Sequence, residues 1–332
     1  MQPVATPNIQ DPMPGTDEYG WAQMRDRSTY DLGAMPWLPK TPDSDEWAKE
    51  LYDRVEEAER AYAAPNLLSN DYILGTASKP DDVGVEHSLY DINEPYVFSA
   101  EHATSPIRLG ETDYRFPDRG TGGLAAVMAQ DYGTAVIARG RQTTNVPSVE
   151  KHPFKDRLKE ELVRATGFIA VHGKNPGMFV HPSDQAEIHA CLGLGLNPPE
   201  PTQEFAEKVI LAARDDLGLY VVNSNKQPAY IQKPNSTEIK RLENGNPKLS
   251  QLAGLKPTMT VNFAREQLAK QGRSGPSLQI ELTDLLRLSP VDSKTRKDKK
   301  AQIIGVALGY KLLEKVVQLT LLETANQAQA KW

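Results

Sequence analysis

Three short apolar runs of the sequence each carry a polar residue that could take part in catalysis. Residues 96–102 end on His102, residues 167–173 contain His172 just before a glycine, and residues 277–282 contain Glu281. Each run is rich in β-branched and aromatic residues and is flanked by breakers, which predicts a short buried strand. Because ligands of α/β sheets bind outside the carboxyl ends of the strands, we expect these three side chains to converge there.

Two imidazoles and a glutamate are the groups that a zinc hydrolase requires. Histidine nitrogens are common zinc ligands, and a catalytic zinc site keeps one position open for water. A carboxylate next to that water serves as its general base. Either histidine alone would be interpreted as an ordinary loop residue. With only six histidines in the chain, two at strand ends favour a metal site on His102 and His172.

The third metal ligand is left open among three acidic residues. An HxxE spacing is absent, because position 105 is serine. Asp118, in the segment Phe-Pro-Asp-Arg-Gly-Thr-Gly-Gly, is the first candidate, although it could instead cap the helix that follows it. Glu111 lies in the same loop and is an alternative. Glu101 adjoins His102, but neighbours in an extended strand face opposite sides.

Glu281 is the best candidate for the general base. It stands in the apolar run Gln279-Ile280-Glu281-Leu282, where burial of a carboxylate without a partner is costly. Beside a metal-bound water, that desolvation would raise the pKa of Glu281 toward neutrality and suit proton transfer. The alternative is a salt-bridged sheet residue that faces Arg287 or Arg265.

Arg139, Arg141 and Asn145 follow the second core strand and are candidates for substrate binding. An arginine fork binds carboxylates bidentately, and an asparagine amide donates to a carbonyl oxygen. At this edge of the sheet they could hold an anionic substrate, and Arg141 with Asn145 could also stabilise a tetrahedral oxyanion. Surface ion pairs would show the same sequence pattern.

Several other groups receive no catalytic role. Residues 120–123, Gly-Thr-Gly-Gly at a helix start, lack the Gly-Lys-Ser/Thr ending of a phosphate-binding loop, which argues against nucleotide binding. We expect His189 to lie in the core or at a sheet edge, the single cysteine, Cys191, to be buried, and His152 to lie at the surface.

Composition excludes several classes of partner. The net charge is −6 and no large basic block is present, so nucleic acid is not an expected partner. A single cysteine rules out an internal disulfide framework and fits a reducing compartment. No signal sequence or membrane-spanning run is recognisable, and we expect a cytoplasmic protein.

The order of the elements predicts an α/β fold, a mostly parallel mixed sheet with helices on both faces. Residues 1–90 form an N-terminal extension, an irregular arm plus a helix at 43–63, and residues 91–332 form the α/β metallohydrolase-like domain. The apolar C-terminal helix belongs to the core or pairs two subunits as a homo-oligomer. The predicted strands are 96–100, 134–138, 168–171, 186–192, 219–223, 258–261 and 278–282, and the other helices are 120–132, 154–166, 203–217, 262–271 and 299–326.

Taken in order, these motifs resemble those of the N-formylglutamate amidohydrolase family, whose fold is similar to that of zinc carboxypeptidases and aspartoacylase. Ser-Ala-Glu-His-Ala-Thr-Ser-Pro around His102 resembles the first metal-histidine loop, and the segment from Asp118 resembles the acidic residue before a helix. The remaining segments look like an arginine-to-asparagine substrate segment, a second metal-histidine strand, a glycine-rich strand end and a base-bearing strand: residues 139–145, 170–173, 186–195 and 278–282.

The resemblance implies a zinc carboxypeptidase-like architecture of the phosphorylase/hydrolase-like type, with zinc on His102, His172 and an acidic ligand. It also implies Glu281 as base and hydrolysis of an N-acyl amide beside a carboxylate, so the substrate would be a small molecule or short peptide. The family usually places an arginine directly after the asparagine, whereas Val146 stands here. A second hypothesis is therefore an inactive member of the fold that acts as a binding or assembly protein, and a third is an esterase.

Overall fold

The structure is a computed structural model of the 332-residue chain. It describes residues 44–63, 81–90, 92, 95–104, 118–139, 142, 144–173, 189–225, 230–232, 239–241, 254–283, 286–288 and 299–329. The predicted N-terminal arm lies outside these residues, as do Arg141, Glu111 and part of the predicted strand at 186–192.

A seven-stranded mixed sheet forms the centre of the molecule. Its strands are β1 (Val83–His87), β2 (Tyr96–Ala100), β3 (Gly133–Ala138), β4 (Gly167–Gly173), β5 (Ala190–Gly193), β6 (Val221–Asn223) and β9 (Ser277–Leu282). Their order across the sheet is β1-β3-β2-β4-β9-β5-β6, and neighbouring strands run parallel except at β1–β3 and β5–β9, which are antiparallel. A separate hairpin pairs Tyr230–Gln232 (β7) with Ile239–Arg241 (β8).

Helices cover both faces of the sheet, which confirms the predicted fold class. The described helices are α1 (Ser44–Ala63), α2 (Thr121–Tyr132), α3 (Pro153–Glu161), α4 (Glu200–Leu217), α5 (Thr260–Lys270) and α6 (Lys299–Gln329), with 3₁₀ turns at Val146–Ser148 and Leu162–Arg164. None of the helices in these ranges combines the length and the apolar character needed to cross a membrane.

Two apolar clusters pack on opposite faces because strand side chains alternate. One face presents Val97 and Val136 to α3 and α5. The other presents Phe98 and Ile137 to a larger cluster that includes residues of α1, α2, α4 and α6. The C-terminal helix therefore contributes to the core, which was one of the two roles predicted for it.

The sheet includes residues on the N-terminal side of the expected domain boundary. Strand β1 pairs with β3 at one edge of the sheet, and it precedes residue 91. Helix α1 begins at Ser44, within one residue of the prediction, and its Leu51 and Val55 are buried in the larger core cluster. A boundary near residue 90 stays a prediction.

Two local predictions were wrong. The strand expected at 258–261 is instead a turn that leads into α5, because the Met259 carbonyl accepts the N–H groups of Asn262 and Phe263 and so closes the first helical turn. His152, expected at the surface, is 5% exposed. Its Nδ1 accepts the N–H of Phe154 at the start of α3, so it is an N-cap residue.

Candidate metal centre and active site

Three neighbouring parallel strands deliver the predicted site residues to one edge of the sheet. Strands β2, β4 and β9 are adjacent and run in the same direction, so their carboxyl ends meet there. His172 in β4 stands directly opposite Glu281 in β9, and a residue pair in register projects to the same face. His102 follows β2 in the turn after Ala100.

His102, Asp118 and His172 form a cluster in which one ligand atom of each lies within 4.8 Å of the others. Oδ2 of Asp118 is 3.4 Å from Nδ1 of His102 and 3.4 Å from Nδ1 of His172. The two imidazole rings meet edge to face, with centroids 4.8 Å apart. Within the described residues, this is the group of three that could hold a metal ion.

The spacing of these atoms fits a tetrahedral metal site. Two nitrogen or oxygen ligands about 2.0–2.1 Å from a tetrahedral zinc ion are separated from each other by about 3.4 Å. Both Nδ1–Oδ2 distances have that value. The side chains of His102 and Asp118 are each 16% exposed, so the cluster is reachable from solvent, while His172 is 3% exposed. The two separations that involve Asp118 therefore fit a divalent ion bound by these residues.

The outer nitrogen of each histidine is held by a hydrogen-bond acceptor. Nε2 of His172 lies 3.1 Å from Oε1 of Glu101, and Nε2 of His102 lies 2.9 Å from Oδ1 of Asn145. An imidazole that donates through Nε2 presents the lone pair of Nδ1, which here faces the cluster. Histidines that bind metals are oriented in this way by outer partners. The same arrangement appears on both histidines.

Glu101 contacts His172 at Nε2, on the side of the ring that faces away from Asp118. It is fully buried, and its second carboxylate oxygen accepts a hydrogen bond from Ser99. Burial alone would raise the pKa of Glu101, but the charge and hydrogen bond of His172 outweigh it and hold the pKa at about 2. Glu101 and His102 do not alternate as neighbours in a strand would, because β2 ends at Ala100 and the chain turns.

The carboxylate of Asp118 points at the histidines, and Gly120 occupies the N-cap position of α2. The backbone N–H of Asp118 donates to the carbonyl of His102 at 2.8 Å, which ties the two ligand loops together. Burial would raise the pKa of Asp118, but the two histidines beside its carboxylate, His102 and His172, hold it far below its usual value. In turn, burial would lower the pKa of His172, and Glu101 and Asp118 raise it well above its usual value. The cluster thus stabilises positive charge.

Glu281 is 6% exposed and accepts a hydrogen bond from Nε2 of Gln279 at 2.7 Å. Burial raises the pKa of Glu281 to about 7, although the charge of His172 opposes this shift. Its alternative partners, Arg287 and Arg265, donate to main-chain carbonyl groups, those of Leu282, Arg119, Leu194 and Leu196. A buried carboxyl group with a near-neutral pKa beside a candidate metal centre matches the properties expected of a general base.

The structure describes two of the three predicted substrate residues, and they lie in different places. Asn145 is next to the cluster, where its amide oxygen faces Nε2 of His102. Arg139 is half-exposed and lies 3.9 Å from Asp82 near the edge strand β1. Arg141 and Glu111 lie outside the described residues. The substrate-binding roles of Arg139 and Arg141 stay predictions.

The sequence did not single out Lys155, a buried lysine whose hydrogen bonds connect the segment after Asn145 with the segment before Thr260. Lys155 in α3 is 2% exposed and donates to the carbonyl groups of Val149 and Thr258. Val149 follows the turn that begins after Asn145, and Thr258 lies two residues before Thr260, whose side chain helps to lower the pKa of Glu101. A charged residue at the first turn of an amphipathic helix gives no sequence signal of such a role.

Comparisons with known proteins give distant structural matches. No protein-family model matches the chain, and no curated protein sequence matches it. A metallo-carboxypeptidase from Pseudomonas aeruginosa, solved with (2-guanidinoethylmercapto)succinic acid, has a TM-score of 0.33 and 12% identity over 70% of this chain. A purine nucleoside phosphorylase from Toxoplasma gondii, solved with immucillin-H, has a TM-score of 0.29 and 12% identity over 67% of this chain and 92% of that one.

The alignment covers 61% of the carboxypeptidase, less than two thirds of its length. TM-scores of 0.33 and 0.29 are too low to assign a family or an activity to this chain. The resemblance to N-formylglutamate amidohydrolases therefore stays a prediction from the sequence motifs, and the function has to be inferred from the site.

Proposed function

We propose that this protein is a zinc-dependent hydrolase that cleaves an amide bond in a small N-acyl amino acid or peptide-like substrate. The observation that supports it most is the convergence of His102, Asp118 and His172, with Glu281 in register beside His172. Two imidazoles and a carboxylate are a ligand set that catalytic zinc uses. When bound, such an ion lowers the pKa of water toward about 7 and polarises a carbonyl group.

Glu281 is the group that moves the proton in this proposal. Its carboxylate accepts a proton from the attacking water and later returns that proton to the nitrogen of the leaving amine. A pKa of about 7 suits both steps, because the group must be deprotonated first and protonated afterwards. Gln279 fixes one carboxylate oxygen through its hydrogen bond, which limits the rotation of Glu281.

The substrate class rests on the arginines and the asparagine that follow β3. Arg141 is proposed to bind the substrate carboxylate, with Arg139 as a second basic group. Asn145 is proposed to help to stabilise the oxyanion while its amide oxygen orients His102. The same sequence motifs underlie the resemblance to N-formylglutamate amidohydrolases, which favours an acyl amide next to a carboxylate.

The test is turnover of N-acyl amino acids and short peptides by the zinc-loaded protein and by Glu281→Gln. We expect Glu281→Gln to keep its zinc and to lose kcat by about 10²–10⁴-fold, because the amide cannot accept the proton. The matched control is Glu266→Gln, which removes the same charge from the exposed surface of α5. Full activity in Glu281→Gln would rule out this base, and no turnover of any amide by zinc-loaded wild type would rule out the proposed reaction.

A further inference from the structure

A glutamate from the N-terminal helix occupies the start of α2, next to the candidate metal ligand Asp118. Oε1 of Glu59 accepts the backbone N–H of Gly120 at 2.7 Å, and Oε2 accepts that of Gly123 at 2.5 Å. Glu59 is fully buried, although it carries a carboxylate. It lies 61 residues before Gly120 in the chain, so this contact is made by the tertiary fold.

Helix α2 needs such an acceptor because it cannot cap itself. Its N-cap residue is Gly120, which has no side chain, and the first N–H groups of a helix have no partner within the helix. A carboxylate at that end is also favoured by the helix dipole. The close approach of α1 depends on Gly123, where a Cβ would lie 2.3 Å from the carbonyl oxygen of Val55. Glu59 thus supplies the acceptor that α2 lacks at its own N-terminus.

The turn that Glu59 holds is the one that carries Asp118. Gly120 is two residues after Asp118, and the hydroxyl of Thr121 donates to the Asp118 carbonyl at 2.6 Å. On the other side, Arg287 donates to the carbonyl of Arg119. Any outward movement of residues 118–120 would have to break the hydrogen bond to Glu59. The carboxylate of Asp118 is therefore fixed toward the histidines partly by a residue of α1.

We propose that Glu59 is a positioning residue of the metal site: it holds the 118–120 turn so that Asp118 reaches the ion together with His102 and His172. The inference rests on the proposed metal function and adds that helix α1 belongs to the catalytic unit. Glu59 itself touches neither the ion nor the substrate. Its expected effect is on metal affinity, as for other outer residues that orient metal ligands.

The experiment compares zinc affinity in wild type, Glu59→Gln and Glu57→Gln by competition with a chromophoric chelator. Glutamine has the shape of glutamate, but its NH₂ group would face one of the two N–H donors. We expect Glu59→Gln to weaken zinc binding about 10–100-fold. Glu57 is exposed on the same helix, so Glu57→Gln removes the same charge and should leave the affinity unchanged.

The outcomes separate this inference from the proposed function. Wild type that binds no zinc would overturn the metal site itself. Wild type that binds zinc while folded Glu59→Gln binds it equally well would overturn only the role of Glu59.

A second measurement covers the case in which Glu59→Gln does not fold. Coupling between two sites is reciprocal, so zinc must strengthen the Glu59 contacts if those contacts strengthen zinc binding. In wild type, hydrogen exchange of the Gly120 and Gly123 amides should slow when zinc is added. Zinc binding that leaves both exchange rates unchanged would contradict the inference.

Discussion

Glu101→Gln is the substitution whose effect on zinc affinity can be worked out most directly from the structure. Glu101 is ionised throughout the neutral range, because its pKa is held at about 2, and its Oε1 lies 3.1 Å from Nε2 of His172. A hydrogen bond to a charged group contributes about 1.5–3 kcal/mol, whereas one between neutral groups contributes about 0.5–1.5. Glutamine can still accept the bond, so about 1–1.5 kcal/mol is lost.

That loss corresponds to about a tenfold weaker zinc affinity, since about 1.4 kcal/mol equals a factor of ten. Glu101→Ala should cost more, toward a hundredfold, because it leaves Nε2 of His172 without its acceptor in a buried site. Both values are measured as zinc dissociation constants, by calorimetry or chelator competition.

The matched control is Asp81→Asn. Asp81 is also a carboxylate next to a histidine, with its Oδ1 3.3 Å from Nε2 of His152, and asparagine tolerates its positive φ of 58°. We expect no change in zinc affinity for this variant. An equal loss in the control, or an unchanged affinity in both Glu101 variants, would refute the assignment of Glu101 as the partner that orients a ligand.

Two further predictions concern stability. Gly120→Ala should destabilise the fold by about 2–5 kcal/mol, because φ is +83° and a Cβ would lie 2.5 Å from the Leu288 nitrogen. The control is Gly272→Ala, where φ is +72° and a Cβ would have no atom within 4 Å, so only the backbone cost of about 1 kcal/mol is expected. Equal losses of unfolding free energy in the two variants, measured by denaturant unfolding, would contradict the packing argument. Burial lowers the pKa of Lys155 to about 8 from 10.5, so the unfolded chain binds more protons between these pH values. The unfolding free energy of wild type minus that of Lys155→Met should therefore rise from pH 8 to 10.5, and a fall would contradict this sign.

Much of the fold was predictable because the core strands are short apolar runs between breakers. Strands at 96–100, 134–138 and 278–282 lie where expected, within one residue at each end. The insertion of β9 between β4 and β5 was not predictable, since strand order depends on contacts between segments distant in sequence. The run Thr-Met-Thr-Val was misinterpreted because its β-branched residues favour a strand locally, while the fold uses it to begin a helix.

The histidines and Glu281 were found because they stand at strand ends, but their supporting partners were not. The contacts of Glu101 with His172 and of Asn145 with His102 depend on how segments distant in sequence are placed against each other. No local sequence pattern encodes that placement. Glu59 did leave a signal. It follows Val55 by four residues and so lies on the buried stripe of α1, where a charged residue is unusual and points to a specific partner.

The central claim is that His102, Asp118 and His172 hold one metal ion. The most direct test is the metal content of purified, zinc-loaded and dialysed protein, compared with that of His102→Ala and His172→Ala. We expect one zinc per wild-type chain and loss of that zinc in both variants, with circular dichroism spectra unchanged. A fully folded wild-type chain that retains no metal would contradict the account and would support a binding or assembly protein instead.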